Sequence, residues 1–215
     1  MSEFLKRLLS SIILIPLIFY VLISGTFLFN IFILICFLIA NYEWYILSKD
    51  KIYSFFGYIF ITISFYTFFK LKNDFDLGLI ILILLICIST DIGGYLFGKI
   101  FKGPKLTKFS PKKTYTGMIG SFLLPIFLLF ILSFLSFAFN GLYNFNFEIL
   151  IFTLLLSAVS QLGDIFISYF KRLAKIKDTG NIIPGHGGLL DRIDGMIFAI
   201  PFSYILIKNN FFQII

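Results

Sequence analysis

Charge is scarce in this chain. Only 13% of its 215 residues are charged, where a soluble domain carries about 25%. Against that, 59% are hydrophobic, 20% are aromatic, and the mean hydropathy is +0.99. A soluble fold has no interior large enough for so much Leu, Ile and Phe, whereas a bilayer does. Histidine is nearly absent: His186 stands alone, with no second His and no Cys nearby, which excludes an H-E-x-x-H zinc site. The two cysteines, Cys36 and Cys87, lie inside apolar runs and read as small hydrophobes, not as a disulfide or a metal pair. The G-x-x-x-x-G-K-[ST] loop of P-loop nucleotide binders is missing. No A-x-A-like cleavage site follows the basic start Met1–Arg7, so the first apolar run is expected to be a retained span. No internal repeat is visible. Net charge is +7, but most of the 18 basic residues sit in short stretches between apolar runs, where membrane proteins keep them. No nucleic-acid partner is expected.

What remains is an all-α polytopic membrane protein. A span needs about 20 apolar residues. Leu8 to Tyr42 carries no charge and as one helix would run to about 50 Å, too long for a hydrocarbon core of about 30 Å. Ser24-Gly25 is its natural break, giving spans 1 and 2. Span 3 is expected at Tyr53–Phe69, span 4 from Leu77 to about Gly98 with Asp91 interrupting it, and span 5 at Met118–Phe139. Span 6 follows at about Ile149–Phe170 with Asp164 inside, and span 7 at about Gly195–Ile207. Residues 1–76 then form an N-terminal set of spans and 77–215 a catalytic set, together one integrated unit. Basic residues set the orientation. With Lys6 and Arg7 cytoplasmic, so are Lys49 and Lys51, the lysines from Lys99 to Lys113, and Lys171 to Arg192. The Asn140–Asn146 loop, with no basic residue, falls on the opposite side. The expected location is the inner cell membrane, multi-pass, with the site facing the cytoplasm.

Two cytoplasmic loops carry most of the chemistry. The first runs Asp91-Ile-Gly-Gly-Tyr95-Leu-Phe-Gly98-Lys99 and then Ser110-Pro-Lys112-Lys113-Thr114-Tyr-Thr-Gly117. Paired lysines beside Thr and Gly just before a helix suit a polyphosphate, with the helix N-terminus offering backbone N–H groups. A positive-inside anchor is the plainer alternative. In the second region Ser157, Ser160, Gln161, Asp164 and Ser168 share one helical face, which Lys171 and Lys175 continue. An aspartate at membrane depth costs roughly 2.5–3.5 kcal/mol on insertion scales, and Asp91 and Asp164 both sit there. With Asp191 and Asp194 they make four acids that need cations. Lysines could neutralise them in a salt-bridge network, or Mg²⁺ could, held by one or two carboxylates with phosphates and water. Between them Gly180, Gly185, Gly187 and Gly188 would let backbone approach a ligand closely. His186 among these glycines is open to two readings, a hydrogen-bonded loop residue or a phosphate or metal-water contact.

Ser168-x-x-Lys171-Arg172, then Lys177-Asp178-x-Gly180, then Ile183-Pro184-x-His186-Gly187-Gly188-Leu189-x-Asp191-Arg192-Ile193-Asp194 resembles the signature of the phosphatidate cytidylyltransferase (CDP-diacylglycerol synthase) family. The Ser110–Gly117 and Asp91/Tyr95/Gly98 segments resemble that family's upstream elements in the same order. The resemblance implies the reaction CTP plus phosphatidate giving CDP-diacylglycerol and pyrophosphate, with Mg²⁺ and a second cation left open. It implies Asp164, Asp191 and Asp194 as metal-site carboxylates with Lys171 and Arg172 on the reacting phosphates. Substrate contacts are then expected from Asp91, Lys112, Lys113, Thr114, Gly117, Ser168, His186, Gly187, Gly188 and Arg192. The implied partners are CTP, phosphatidate and the bilayer; monomer or homodimer is left open. A phosphatidate oxygen is already anionic, so the absence of a His–Asp or Ser–His pair suits such chemistry. Two rivals stand beside this reading: another lipid-directed CTP-using enzyme, such as a polyprenol kinase, and an ion-coupled transporter.

Overall fold

The structure is a computed structural model that describes residues 3–49, 51–107, 110, 113–138, 146–183, 185 and 187–212. Lys112 and His186 therefore lie outside the described residues. Among those described every regular element is helical: α1 (Glu3–Ile23), α2 (Thr26–Ser48), α3 (Ser54–Asp74), α4 (Leu77–Phe101), α5 (Tyr115–Ala138), α6 (Phe147–Leu173), α7 (Leu190–Ile193) and α8 (Met196–Lys208). Five of them, α2 to α6, are long and apolar enough to cross a membrane. The apolar part of α1 (Ile12–Ile23) and the 13-residue α8 are shorter. Large apolar side chains such as Phe27, Phe55, Phe127, Phe130 and Leu162 stand exposed, while Ser157, Ser160, Thr90, Thr153 and Ser203 are buried. That inversion is what hydrocarbon rewards and water does not.

The break between α1 and α2 falls at Ser24-Gly25, as the chain length required. The Ser24 amide still donates to Tyr20 O at 2.8 Å, and the next helix starts at Thr26. A tight turn joins α2 to α3, held by Lys51 N donating to Ser48 O at 3.1 Å and Trp44 Nε1 donating to Ser54 O at 3.0 Å. The Trp44 indole lies where a Cβ on Gly57 would stand, 2.0 Å from Trp44 Cε2, so this crossing needs glycine.

The chain divides into two compact units. The first holds residues 1–70 and Phe170–Asp194; the second holds Leu71–Tyr169 and Gly195–Ile215. In the first, Phe29 and Phe68 meet edge to face at 5.6 Å, Phe37 and Phe65 at 5.7 Å, and Phe170 packs on Trp44 at 5.3 Å and Tyr53 at 4.8 Å. The first three of these pairs are edge to face, a favoured ring geometry, and the Tyr53–Phe170 pair is tilted.

In the second unit α4 and α5 lie backbone to backbone. A Cβ on Gly93 would sit 2.2 Å from Gly120 O, and one on Gly117 would sit 2.6 Å from Gly94 O. Without a hydrophobic drive in lipid, helices associate by close packing, and small residues make that possible. This is the work of the glycines in Asp91–Gly98. From the sequence, span 4 runs to about Gly98, interrupted at Asp91, yet these glycines are counted with a motif loop; in the structure they are helical, and α4 runs unbroken past Asp91 to Phe101. Thr90 Oγ1 and Ser157 Oγ, both buried, tie α4 to α6 at 3.0 Å.

Candidate functional site

The chain leaves α4 through Lys102 (φ +53) and Gly103 (φ +127), a left-handed turn that favours glycine. It then folds back on itself: Leu106 N donates to Lys113 O at 2.8 Å, Tyr115 N to Pro104 O at 3.1 Å, and Lys113 N to Ser110 O at 3.0 Å. Thr114 ends the loop as a helix cap, its Oγ1 accepting from Gly117 N at 3.1 Å. The N–H groups of Tyr115, Gly117 and Met118 are thus already spent on Pro104 O, Thr114 Oγ1 and Thr114 O. Three amides of this helix start are therefore already paired, where they are expected from the sequence to be offered to a phosphate.

This loop closes one side of a cavity of about 250 Å³ in the second unit. Asp91 and Gly94 of α4, Lys113, Thr114, Gly117 and Ser121, and Gln161 and Asp164 of α6 line it. Five residues singled out from sequence, Asp91, Lys113, Thr114, Gly117 and Asp164, are therefore brought together. Lys113 Nζ meets Asp164 Oδ2 at 2.5 Å, and Ser168 Oγ, one turn further along α6, donates to Asp164 Oδ1 at 3.3 Å. A basic group is held against an acid on the wall of a space large enough for phosphates. Asp164 fits a hard cation, since it is an oxygen donor facing a cavity and, among the described residues, its two oxygens carry one lysine and one hydroxyl.

A second polar cluster lies in the first unit, around Asp191 of α7. Lys171 Nζ donates to Asp191 Oδ1 at 2.8 Å. Oδ2 accepts from Thr179 N at 2.7 Å, from Gly188 N at 3.1 Å and from Thr179 Oγ1 at 3.1 Å. Burial would push this carboxyl up, but the Lys171 ammonium and the two backbone N–H groups outweigh it and hold Asp191 below the ordinary aspartate range. Gly187 (φ +87) takes the left-handed turn that leads into these contacts. Asp194 is buried in the same unit, while Arg172 and Arg192 are exposed. Among the described residues no three acidic, His or Cys side chains gather as a ready metal cage. Mg²⁺ does not require one, since it is usually held by one or two carboxylates with phosphates and water.

Sequence reasoning missed the residue at the centre of this cluster. Glu43 of α2 is 1% exposed. Its Oε1 accepts from Leu189 N at 2.8 Å, and its Oε2 from Leu190 N at 2.7 Å and Thr179 Oγ1 at 2.9 Å. A Cβ on Gly180 would stand 2.8 Å from Glu43 Oε1, and one on Gly188 2.6 Å from Oε2. Close approach at these two glycines is therefore to a carboxylate of the chain itself. The available signal was one acid inside an otherwise apolar helix, next to the last residue counted as uncharged span.

Residues 46–209 match the Cytidylyltransferase family. Over 210 residues the chain is 36% identical to a phosphatidate cytidylyltransferase of Rickettsia bellii, an alignment covering 95% of this chain and 91% of that protein. It is 37% identical over 206 residues to the enzyme of the same name from Rickettsia felis, covering 93% and 90% of the two chains. A phosphatidate cytidylyltransferase of Staphylococcus aureus is 36% identical over 186 residues, 81% of this chain and 67% of that one. With the fixed positions of Ser168–Asp194 filled and a lysine–aspartate cavity beneath the Ser110–Gly117 loop, the chain belongs to the Cytidylyltransferase family.

Proposed function

We propose that this protein transfers the cytidylyl group of CTP to phosphatidate, forming CDP-diacylglycerol and pyrophosphate for phospholipid synthesis. The observation that carries the reading is the cavity in which Lys113, Thr114, Asp91 and Asp164 meet, on segments that also match relatives named for this reaction. A phosphatidate oxygen attacks the α-phosphorus of CTP; that P–O bond forms as the bond to the β-phosphate breaks, and the electron pair leaves with pyrophosphate. The nucleophile is already ionised, so the chain need supply no strong base. Its task is to position two anions and offset the charge that builds on the leaving group.

In this reading Lys113 turns from Asp164 to the triphosphate as CTP enters, with Lys112 beside it in sequence. Asp164 would be a ligand for Mg²⁺ once its lysine is engaged elsewhere; Asp191 and Asp194 are carboxylates that the family resemblance also assigns to metal. Bound Mg²⁺ would neutralise phosphate charge and polarise the leaving group. Lys171, Arg172 and Arg192 bear the charge for the remaining phosphate oxygens, while Ser168, His186, Gly187 and Gly188 shape the approach. Lipid substrate arrives laterally and CTP from the cytosol, which suits a seven-span inner-membrane protein with both motif regions cytoplasmic. Labelling single cysteines at Lys102 and Phe147, in a background lacking Cys36 and Cys87, should report opposite sides; labelling from one side would contradict that topology. Purified protein should move cytidine label from CTP into an organic-soluble product only with phosphatidate and Mg²⁺ present. Label that stays water-soluble would overturn the assignment.

A further inference from the structure

A buried glutamate in an apolar helix needs a reason. Taking a carboxylate out of water is costly unless hydrogen bonds replace hydration. Glu43 lies on the buried stripe of α2 with Ile33, Ala40, Trp44 and Leu47, and among the described residues it makes no ion pair with a lysine or arginine. Its charge is met instead by two consecutive backbone N–H groups, those of Leu189 and Leu190, and by the Thr179 hydroxyl. These donors come from the two ends of the 179–190 loop, far along the chain from Glu43. Thr179 also contacts Asp191: its amide is 2.7 Å and its hydroxyl 3.1 Å from Oδ2. One hydroxyl thus stands between two carboxylates. It has one proton to give, so Glu43 and Asp191 are coupled through it.

We propose that Glu43 is a positioning residue, the peg on which the 179–190 loop is hung so that Asp191 is presented beside Lys171. Glu43 touches no part of that ion pair. It fixes both ends of the loop, and the loop's own N–H groups fix Asp191. A Cβ on Gly180 would crowd this carboxylate, and one on Gly188 would meet the Thr179 hydroxyl at 2.2 Å and the carboxylate at 2.6 Å. Glu43 itself lies just outside the matched segment 46–209. Replacing it by Gln keeps the shape but turns one acceptor oxygen into an N–H donor facing Leu189 or Leu190, leaving a buried donor unmet.

This inference rests on the proposed reaction for its kinetic readout, and hydrogen exchange gives a readout that does not. The experiment takes the full-length protein in detergent as wild type, E43Q, T179V and T179S. Exchange is followed in peptides covering residues 178–194, alongside CTP and phosphatidate titrations and Mg²⁺ activation curves. E43Q should exchange faster in that segment with unchanged protection in α4 and α5. Its kcat should fall on the order of 10- to 100-fold, the effect of one unmet buried donor, with KM for CTP changed by less than about threefold. T179V should fall in the same way, and T179S, which keeps the hydroxyl, should recover most of the loss. Wild-type exchange in E43Q overturns the proposal, as does a T179S as impaired as T179V. If E43Q cannot be purified folded, the T179V and T179S pair decides on the same two readouts. A wild-type protein inert towards CTP and phosphatidate would remove the proposed reaction, while the exchange comparison would still stand or fall by itself.

Discussion

Asp191→Asn probes the Asp191 cluster hardest. The carboxylate takes four donors on two oxygens: Lys171 on Oδ1, and Thr179 N, Thr179 Oγ1 and Gly188 N on Oδ2. An amide has one acceptor oxygen. If that oxygen keeps the backbone donors, its NH₂ faces the Lys171 ammonium, donor against donor. The side chains of the pair are only 5% and 11% exposed, so little water can step in. Removing one partner of such a pair typically costs about 3–5 kcal/mol, chiefly from the cation left behind. In a chain of this length that lowers the melting midpoint by on the order of 10 °C. Lys171→Met in the same protein removes the stranded cation, and the double variant should regain a large part of the stability. Turnover should not return with it, because in the proposed mechanism both groups serve the reacting phosphates or the metal. The assay is cytidylyl transfer and thermal melting on the two single variants and the double. Asp191→Asn with activity within about twofold of wild type, or a double variant that regains full activity, would refute this reasoning.

Lys113→Ala should weaken CTP more than phosphatidate, with kcat/KM for CTP down roughly 10- to 150-fold, the worth of a charge-assisted hydrogen bond. Lys113→Arg should restore only part of it, and titrating each substrate separates the cases. Gly120→Ala should destabilise without touching the cavity, since its Cβ would meet Phe97 Cβ at 2.4 Å and Gly93 O at 2.6 Å. Overpacking of this kind costs typically 1–3 kcal/mol, so a clear loss in melting temperature at unchanged KM is expected. Because the Asp191 pKa is lowered in the folded protein, its contribution to stability is present above the unfolded aspartate value and is lost as pH falls through the folded one. Melting between neutral and mildly acidic pH should therefore owe no slope to this group, and the acid limb should flatten in Asp191→Asn.

The apolar helices were legible because bilayer thickness and charge spacing leave few choices. The Ser24-Gly25 break and the α6 face of Ser157, Ser160, Asp164 and Ser168 followed from length and from 3.6-residue periodicity. Helix ends were less legible. α5 begins at Tyr115, not Met118, because Thr114 caps it, and α4 continues through a glycine run that looks like loop but is helix packed on helix. Glycine in a sequence marks close approach without naming what approaches. At Gly93 it is the Gly120 backbone, at Gly120 the Phe97 side chain and the Gly93 backbone; at Gly180 it is Glu43, and at Gly188 Thr179 together with Glu43. Glu43 itself was hidden because its partners are more than 130 residues away in the chain, at separations of 136, 146 and 147. The local signal, one acid in an otherwise apolar helix, does not name those partners. Lys113 and Asp164 were each singled out, but their pairing at 2.5 Å depends on how the 102–114 loop folds back, which only the structure supplies.

Position-specific labelling of CTP tests most directly whether this chain is a cytidylyl transferase acting on phosphatidate. CTP labelled in its α-phosphate and CTP labelled in its γ-phosphate are each incubated with the purified protein, phosphatidate and Mg²⁺, and the lipid and aqueous phases are separated. Attack at the α-phosphorus predicts α-label in the lipid and γ-label in pyrophosphate. Lipid carrying the γ-label would make the protein a lipid kinase and contradict the mechanism derived from its cavity.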